Sequence, residues 1–239
     1  MTRATKASPK TARKRTARTK AEQRAETLQQ ILDSAELLFS KHGINGVTLR
    51  DVADRVGVHK SMMHYYFEDK PALIKAVFAR RADVSSERRM KALDRYEKDA
   101  KGKPTVEGAL HVFLDTDFDV YIEGGQHWQN YAAFCAQLAN THEGAELFDQ
   151  YWDPVVLRLI EIVRKALPEV SKKDVFWGYH FVTGSLMHAY AASGRLDRLS
   201  GGLCKSADLA AIKALMADFM AGGFKTLPKR SAGSRKAAR

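Results

Sequence analysis

Residues 48–67, TLRDVADRVGVHKSMMHYYF, place small and apolar side chains where two short helices crossing at a steep angle need them. Ala53 is small enough for a second helix to pass over it, and Gly57 supplies a tight turn where a Cβ could clash. Leu49, Val52, Val56, Val58, Met63 and Tyr66 recur at the spacing that points them into one shared core. His59, Lys60, Ser61, Met62, His64 and Tyr65 remain outside. On a second helix spanning about His59 to Tyr66, these residues stand where a recognition helix meets base edges and phosphates in the major groove. Double-stranded DNA is the first partner this helix-turn-helix pattern implies.

The flanks extend the pattern. Leu28, Ile31, Leu32, Ala35, Leu38, Phe39 and His42 fall at steps of three and four and predict one amphipathic helix over 25–42. Gly43 is placed to close it in the left-handed conformation, and Asn45-Gly46 turns the chain. Thr48 and Asp51 then form a capping-box-like start, with Asp replacing the usual Glu or Gln. Glu68-Asp69-Lys70-Pro71 ends the second motif helix and begins another, Pro71 being tolerated in a first turn.

The stretches AELLFSKHGINGVTLRDVADRVGV and MHYYFEDKPAL resemble the N-terminal domain of TetR/AcrR-type bacterial transcriptional regulators, over about residues 25–75. The resemblance implies an all-α homodimer with about nine helices per subunit, a DNA-binding head and a divergent ligand-binding body. It further implies that Thr48 caps the first motif helix against a phosphate and that Lys60, Tyr65 and Lys70 contact the DNA backbone. His59, Ser61, Met62 and His64 would face bases or adjacent phosphates. The chain departs from the family at His64, where Tyr is usual, and at Ser61 and Met62, where Gly or a small polar residue is frequent, so an operator sequence does not transfer. His64 either gains charge near phosphates or serves as a neutral donor or packing group.

The net charge of +11 is concentrated at the ends. Residues 1–20 hold eight Lys or Arg and residues 225–239 hold six, with no acid in either, which leaves 25 basic and 28 acidic residues between them, a balance of −3. The sequence predicts a basic arm over 1–22, a DNA-binding domain over 23–70, a helical effector-binding and dimerisation domain over 71–226, and a basic tail over 227–239. Both basic segments are too poor in apolar residues to offset the entropy of ordering and are expected to be disordered in isolation. The arm precedes a DNA-binding helix, from which a flexible basic chain reaches a minor groove or phosphates; its alternative role is solubility and general affinity for nucleic acid. No signal-peptide h-region or long apolar run is visible, and Cys135 and Cys204 read as no disulfide framework. These features point to a reducing bacterial cytoplasm and the nucleoid, with no membrane partner.

The body reads as helices over 70–98, 105–123, 126–139, 143–167, 172–193 and 206–225. Asp153-Pro154 either kinks the fourth or starts a new helix with Asp153 as its cap. Phe113, Phe118, Tyr121, Trp128, Tyr131, Phe134, Phe148, Tyr151 and Trp152 cluster within forty residues. They either pack as core or line a mainly apolar cavity for a hydrophobic or amphipathic effector; the candidate lining is Phe113, Phe118, Tyr121, Trp128, Tyr131, Phe134, Tyr151 and Trp152. Val182, Ser185, Leu186, Ala189 and Ala192 beside Gly178 and Gly184, with Leu209, Ile212, Leu215, Met216, Phe219 and Met220, give the last two helices faces suited to a dimeric four-helix bundle. The loop 194–202 between them is either a capped turn with an Arg and Asp pair or a set of charges that bridges the dimer or edges the cavity.

No nucleophile elbow, Walker loop, HExxH or CxxC pair is present, so neither catalysis nor a metal or cofactor site is expected. The expected protein is a repressor whose dimer sets two recognition helices on a near-palindromic operator and releases it when a small effector binds. The alternative from another class is a nucleoid protein that binds many sites through its basic segments and acts through a protein partner.

Overall fold

The structure, a computed structural model, describes residues 19–229. Helix α1 (Lys20–His42) starts earlier than the apolar periodicity predicts because Thr19 caps it: the Thr19 hydroxyl accepts from the Glu22 N–H, and the Glu22 carboxylate accepts from the Thr19 N–H at 2.8 Å. The start of the helix therefore takes in residues 20–22 of the expected arm; residues 1–18 of that arm, and the expected tail beyond residue 229, lie outside the described residues. Gly43 ends α1 at φ 74°, but its ψ of 162° is extended rather than left-handed. His42 is exposed instead of joining the stripe, since Ile44 and Val47 cover the core beyond the last turn.

Helix α2 (Leu49–Val56) carries both halves of the expected capping box and ends on Gly57 in the left-handed conformation at φ 79°, ψ 27°. Helix α3 (Lys60–Tyr66) follows. Val52, Ala53 and Met63 are fully buried between the two, and Leu49, Val56, Val58 and Tyr66 pack around them, as the spacing predicts. Helix α4 (Lys70–Asp99) starts on Asp69, whose carboxylate accepts from the Ala72 N–H at 2.8 Å, and runs for 30 residues away from the motif.

The body adds α5 (Val106–Glu123), α6 (Gly125–Leu138), α7 (His142–Tyr151), α8 (Asp153–Ala166), α9 (Lys172–Ala191), α10 (Arg195–Leu199) and α11 (Leu209–Lys225). The expected helix over 143–167 is split into α7 and α8. Trp152, not Asp153, holds the capping position and offers no side-chain hydrogen bond, while Pro154, which has no N–H to donate, falls in the first turn of α8. The loop after α9 contains the short α10. There Asp197 accepts from the Ser206 N–H at 2.7 Å and from its hydroxyl, so the expected Arg and Asp pair does not form. These two features raise the count from about nine to eleven helices among the described residues, which contain no strand beyond an isolated bridge between Val170 and Lys229.

Contacts from α1 fix the motif to the body, and a buried hydrogen bond ties α6 to α4. Phe39 of α1 stacks on Phe134 of α6 at 5.6 Å between ring centroids. Glu36, fully buried on α1, accepts from Arg80 at 2.6 Å and Arg81 at 2.9 Å on α4, and Arg80 also reaches Asp33 at 2.7 Å. The Tyr131 hydroxyl donates to the Phe78 carbonyl at 2.9 Å. Along the opposite flank, antiparallel α5 and α11 are laced by Glu107 with Lys225, His111 with Asp218, and Asp119 with Lys213.

Candidate DNA-binding face and ligand cavity

Crossing α2 over α3 turns one side of α3 inward through Met63 and leaves the other in water. Lys60, Ser61, Met62, His64 and Tyr65 are all exposed, Tyr65 by 60%. Lys60, His64, Tyr65 and the half-buried Lys70 make no hydrogen bond or ion pair with any described residue. His59 caps α3, its Nδ1 accepting from the Ser61 N–H at 3.3 Å and lying 2.9 Å from the Ser61 hydroxyl. Thr48 is also committed: its hydroxyl donates to the Asp51 carboxylate at 2.7 Å and accepts from the Asp51 N–H. The side-chain bond from Thr48, and then its backbone N–H, hold the Asp51 carboxyl below the usual range. Arg24 lies 5.0 Å from the centre of the Tyr65 ring, and Lys20, Arg24, Met62 and Tyr65 line one groove between the start of α1 and α3.

The body holds a cavity of about 40 Å³. Of the eight expected aromatic lining residues, Phe113 and Trp152 border it, with Phe148, Tyr179, Val156, Leu186 and Met187. The other six pack nearby. Tyr121 lies between Tyr190 at 4.7 Å and Tyr131 at 6.4 Å, Phe134 touches Tyr131, and Phe118 meets Tyr190 edge-on. Trp128 stands edge-on to both Tyr121 and Tyr131 and carries Arg81 over its outer face, while Tyr151 packs edge-on against Phe78. Burial pushes the Tyr121, Tyr131 and Tyr190 hydroxyls and the Cys135 thiol well above their ordinary pKa values, so all stay neutral.

A polar cluster that the sequence reading does not single out sits at the cavity wall. Asp117 is buried and accepts from the Ser85 hydroxyl at 2.6 Å and the Tyr190 hydroxyl at 2.7 Å. Arg89, also buried, places Nε 3.5 Å from the Asp117 carboxylate and its guanidinium over the Phe113 and Trp152 rings at 4.8 and 5.6 Å. Burial opposes the charge on Arg89, but Asp117 outweighs it and the guanidinium pKa is raised. A signal was present in the pattern: Arg89 and Asp117 lie on the apolar stripes Ala82, Ser85, Leu93 and Leu110, Phe113, Leu114, Phe118 and Tyr121, where a charge must be paired to be tolerated. Asp153, on the cavity rim, has its pKa raised by burial and by Asp149. Among the described residues no group of three or more His, Cys, Asp or Glu side chains is arranged to hold a metal ion.

On α9 and α11 the expected dimer face divides. Val182 and Leu186 turn into the protomer's own core, and Gly178 lets α11 approach so closely that a Cβ there would lie 2.5 Å from the Phe224 ring. Leu209 and Met216 are buried likewise. The apolar surface left in water is Phe176, Trp177, Phe181, Leu215 and Phe219, beside an open groove of about 860 Å³ that includes Ser185, Ala189 and Ile212.

A helix-turn-helix presented by a helical body, with no strand in the described chain, defines a helical DNA-binding regulator. Residues 31–77 match the family of bacterial regulatory proteins called the tetR family, and residues 111–223 match the Tetracyclin repressor-like C-terminal domain, together more than half of the chain. The chain belongs to the TetR family of transcriptional regulators. It is 40% identical over 63 residues to the HTH-type transcriptional repressor BepR of Brucella suis, covering 26% of this chain and 30% of that one. It is 23% identical over 171 residues to the HTH-type transcriptional regulator BetI of Escherichia coli, covering 71% and 85%. The chain thus spans about a third of the first of these relatives. A tetR-family transcription regulator from Shewanella sp. PV-4 shares the fold at a TM-score of 0.56 and 14% identity, covering 82% of this chain and 97% of that one. No helix among the described residues is long and apolar enough to cross a membrane.

Proposed function

We propose that the protein is a repressor that binds a near-palindromic operator as a homodimer and is released by a small hydrophobic or amphipathic effector held in the body. The observation that carries this reading is the helix-turn-helix itself, which buries Met63 and leaves Lys60, Met62, His64 and Tyr65 exposed on the outward side of α3. In this reading residues 23–70 form the head and 71–226 the body. Lys60, Tyr65 and Lys70 neutralise phosphates or touch the backbone, and Ser61, Met62 and His64 meet base edges. His59 and Thr48 have first to hold the ends of their helices, so their DNA contacts come from side-chain atoms still free after capping. The attachment of the basic arm at Lys20, in the same groove as Met62 and Tyr65, supports its reaching DNA. The exposed apolar faces of α9 and α11 support a second copy seated there, forming a four-helix bundle.

The link between effector and operator is α4. It begins next to α3, is clamped to α1 through Arg80, Arg81 and Glu36, and ends among the cavity-forming helices. A ligand that favours one setting of α4 shifts the spacing of the two heads. A coupling of about 1–3 kcal/mol changes operator affinity roughly 5- to 150-fold. Selection of bound DNA from a random pool, at physiological salt, tests the reading: an inverted repeat is expected. Lys60→Ala should weaken binding to all sequences alike and reduce the salt slope by about one, whereas changes at Met62 or His64 should alter sequence preference. Recovery of no enriched repeat would sink the operator reading in favour of a nucleoid protein that binds many sites.

A further inference from the structure

The polar groups around the cavity are unbalanced. Arg89 stacks on two aromatic faces and its Nε stands 3.5 Å from the Asp117 carboxylate, buried and with no hydrogen-bond acceptor. Asp117 is already held by short bonds from Ser85 and Tyr190, so its charge is stabilised without a hydrogen bond from the guanidinium. Across the same cavity, the buried Trp152 Nε1–H also has no acceptor. A guanidinium offers five donors and an indole one, and neither accepts. Buried donors without acceptors are costly, and a cavity that gathers two such groups is matched by a ligand that brings acceptors.

We propose that Arg89 and Trp152 form the receiving end for an anionic head group, so that the ligand of this cavity is a carboxylate on an apolar or aromatic skeleton. The inference rests on the reading of the body as effector-binding and names the chemical class of the effector. A carboxylate matches the planar fork of the guanidinium in a bidentate way, with a third bond available from the indole. Phe113, Phe148, Val156 and Leu186 supply the apolar surface for its skeleton. A cation would meet the fixed charge of Arg89, whose guanidinium already covers the Phe113 and Trp152 faces. At about 40 Å³ the cavity holds a few waters, taking roughly 10–15 Å³ for each, so the skeleton enters as the lining parts. Because Arg89 lies on α4, a head group drawn to it acts directly on the helix that leads to α3.

The test uses the full-length protein with octanoate and phenylacetate, each beside its methyl ester and the corresponding amine, read by thermal shift and tryptophan fluorescence. The acids are expected to bind and raise the melting temperature while esters and amines do not. Arg89→Lys, which keeps the charge but loses the fork, should weaken acid binding by about tenfold. The double variant R89Q/D117N, which removes both charges together, should abolish the preference for acids; if it fails to fold, Arg89→Lys decides. Absence of acid binding, esters or amines binding as well as acids, or an undiminished preference in these variants would overturn the proposal. Operator binding is measured separately on the selected DNA. Acids that bind without changing operator affinity defeat the effector reading and leave the anion site standing. Release of the operator by neutral or cationic compounds alone defeats the anion site and leaves the effector reading standing.

Discussion

The head and the body both present donors without acceptors, and water separates the two cases. On α3, Lys60, His64 and Tyr65 are exposed, so solvent satisfies them and their lack of partners costs nothing. In the body, Arg89 and Trp152 are buried, where a missing acceptor is a free-energy deficit. An uncommitted side chain therefore says little by itself on the head, where the helix-turn-helix geometry carries the argument. In the body the same observation points to a ligand.

The sharpest way to break this contrast is Asp117→Ala. It leaves Arg89 buried with no counter-charge and removes the acceptor for Ser85 and Tyr190, and should cost about 3–5 kcal/mol in urea denaturation. A loss below about 1 kcal/mol would mean that water already reaches the cluster. Thr48→Ala strikes the head instead. It removes the cap of α2 and should cost about 1 kcal/mol in urea denaturation, and DNA affinity should fall with the population of the intact motif. The smallest effect belongs to the α5–α11 seam. Hydrogen bonds from His111 to Asp115 and then to Asp218 raise its pKa against a smaller opposing effect of burial, so the folded state favours the imidazolium. Its contribution is complete below the ordinary value of 6.5 and is lost as pH rises through the raised folded value. The wild type should therefore lose stability relative to His111→Gln above about pH 6.5; parallel pH profiles would show that the seam is held by Lys213 and Lys225 alone.

What was legible in the sequence followed from short-range rules. The capping box at Thr48, the turn at Gly57 and the inward Met63 depend on neighbours within a few residues, and the structure shows each where spacing put it, although Gly57 is required by its positive φ and not by a clash, since a Cβ there would meet nothing within 4 Å. The split at Trp152 was legible as one of two outcomes, since Pro154 forbids a continuous interior but does not say how the chain adjusts. The turn over 194–202 was legible as one of two outcomes, but Asp197 takes Ser206 and not an Arg as its partner, across a loop whose path no periodicity reveals. Aromatic density correctly marked the middle of the body as densely packed, but six of its eight rings face one another rather than the cavity. Which side of a helix meets a void depends on how α4, α5, α8 and α9 are set together. Arg89 and Asp117 were visible as charges on apolar stripes, and only their meeting across two helices gives them meaning.

Helix α3 has seven residues, about two turns. Helices shorter than about 12–15 residues are marginal in water, so this one persists because Met63 and the following Phe67 are buried and the Tyr66 hydroxyl donates to the Arg24 carbonyl at 3.1 Å. A free peptide of residues 59–67 would carry the proposed contacts of α3 in the right order and almost none in the right place. The shape offered to a DNA groove is a property of the whole three-helix unit, and it should vanish in one step with the docking of Met63.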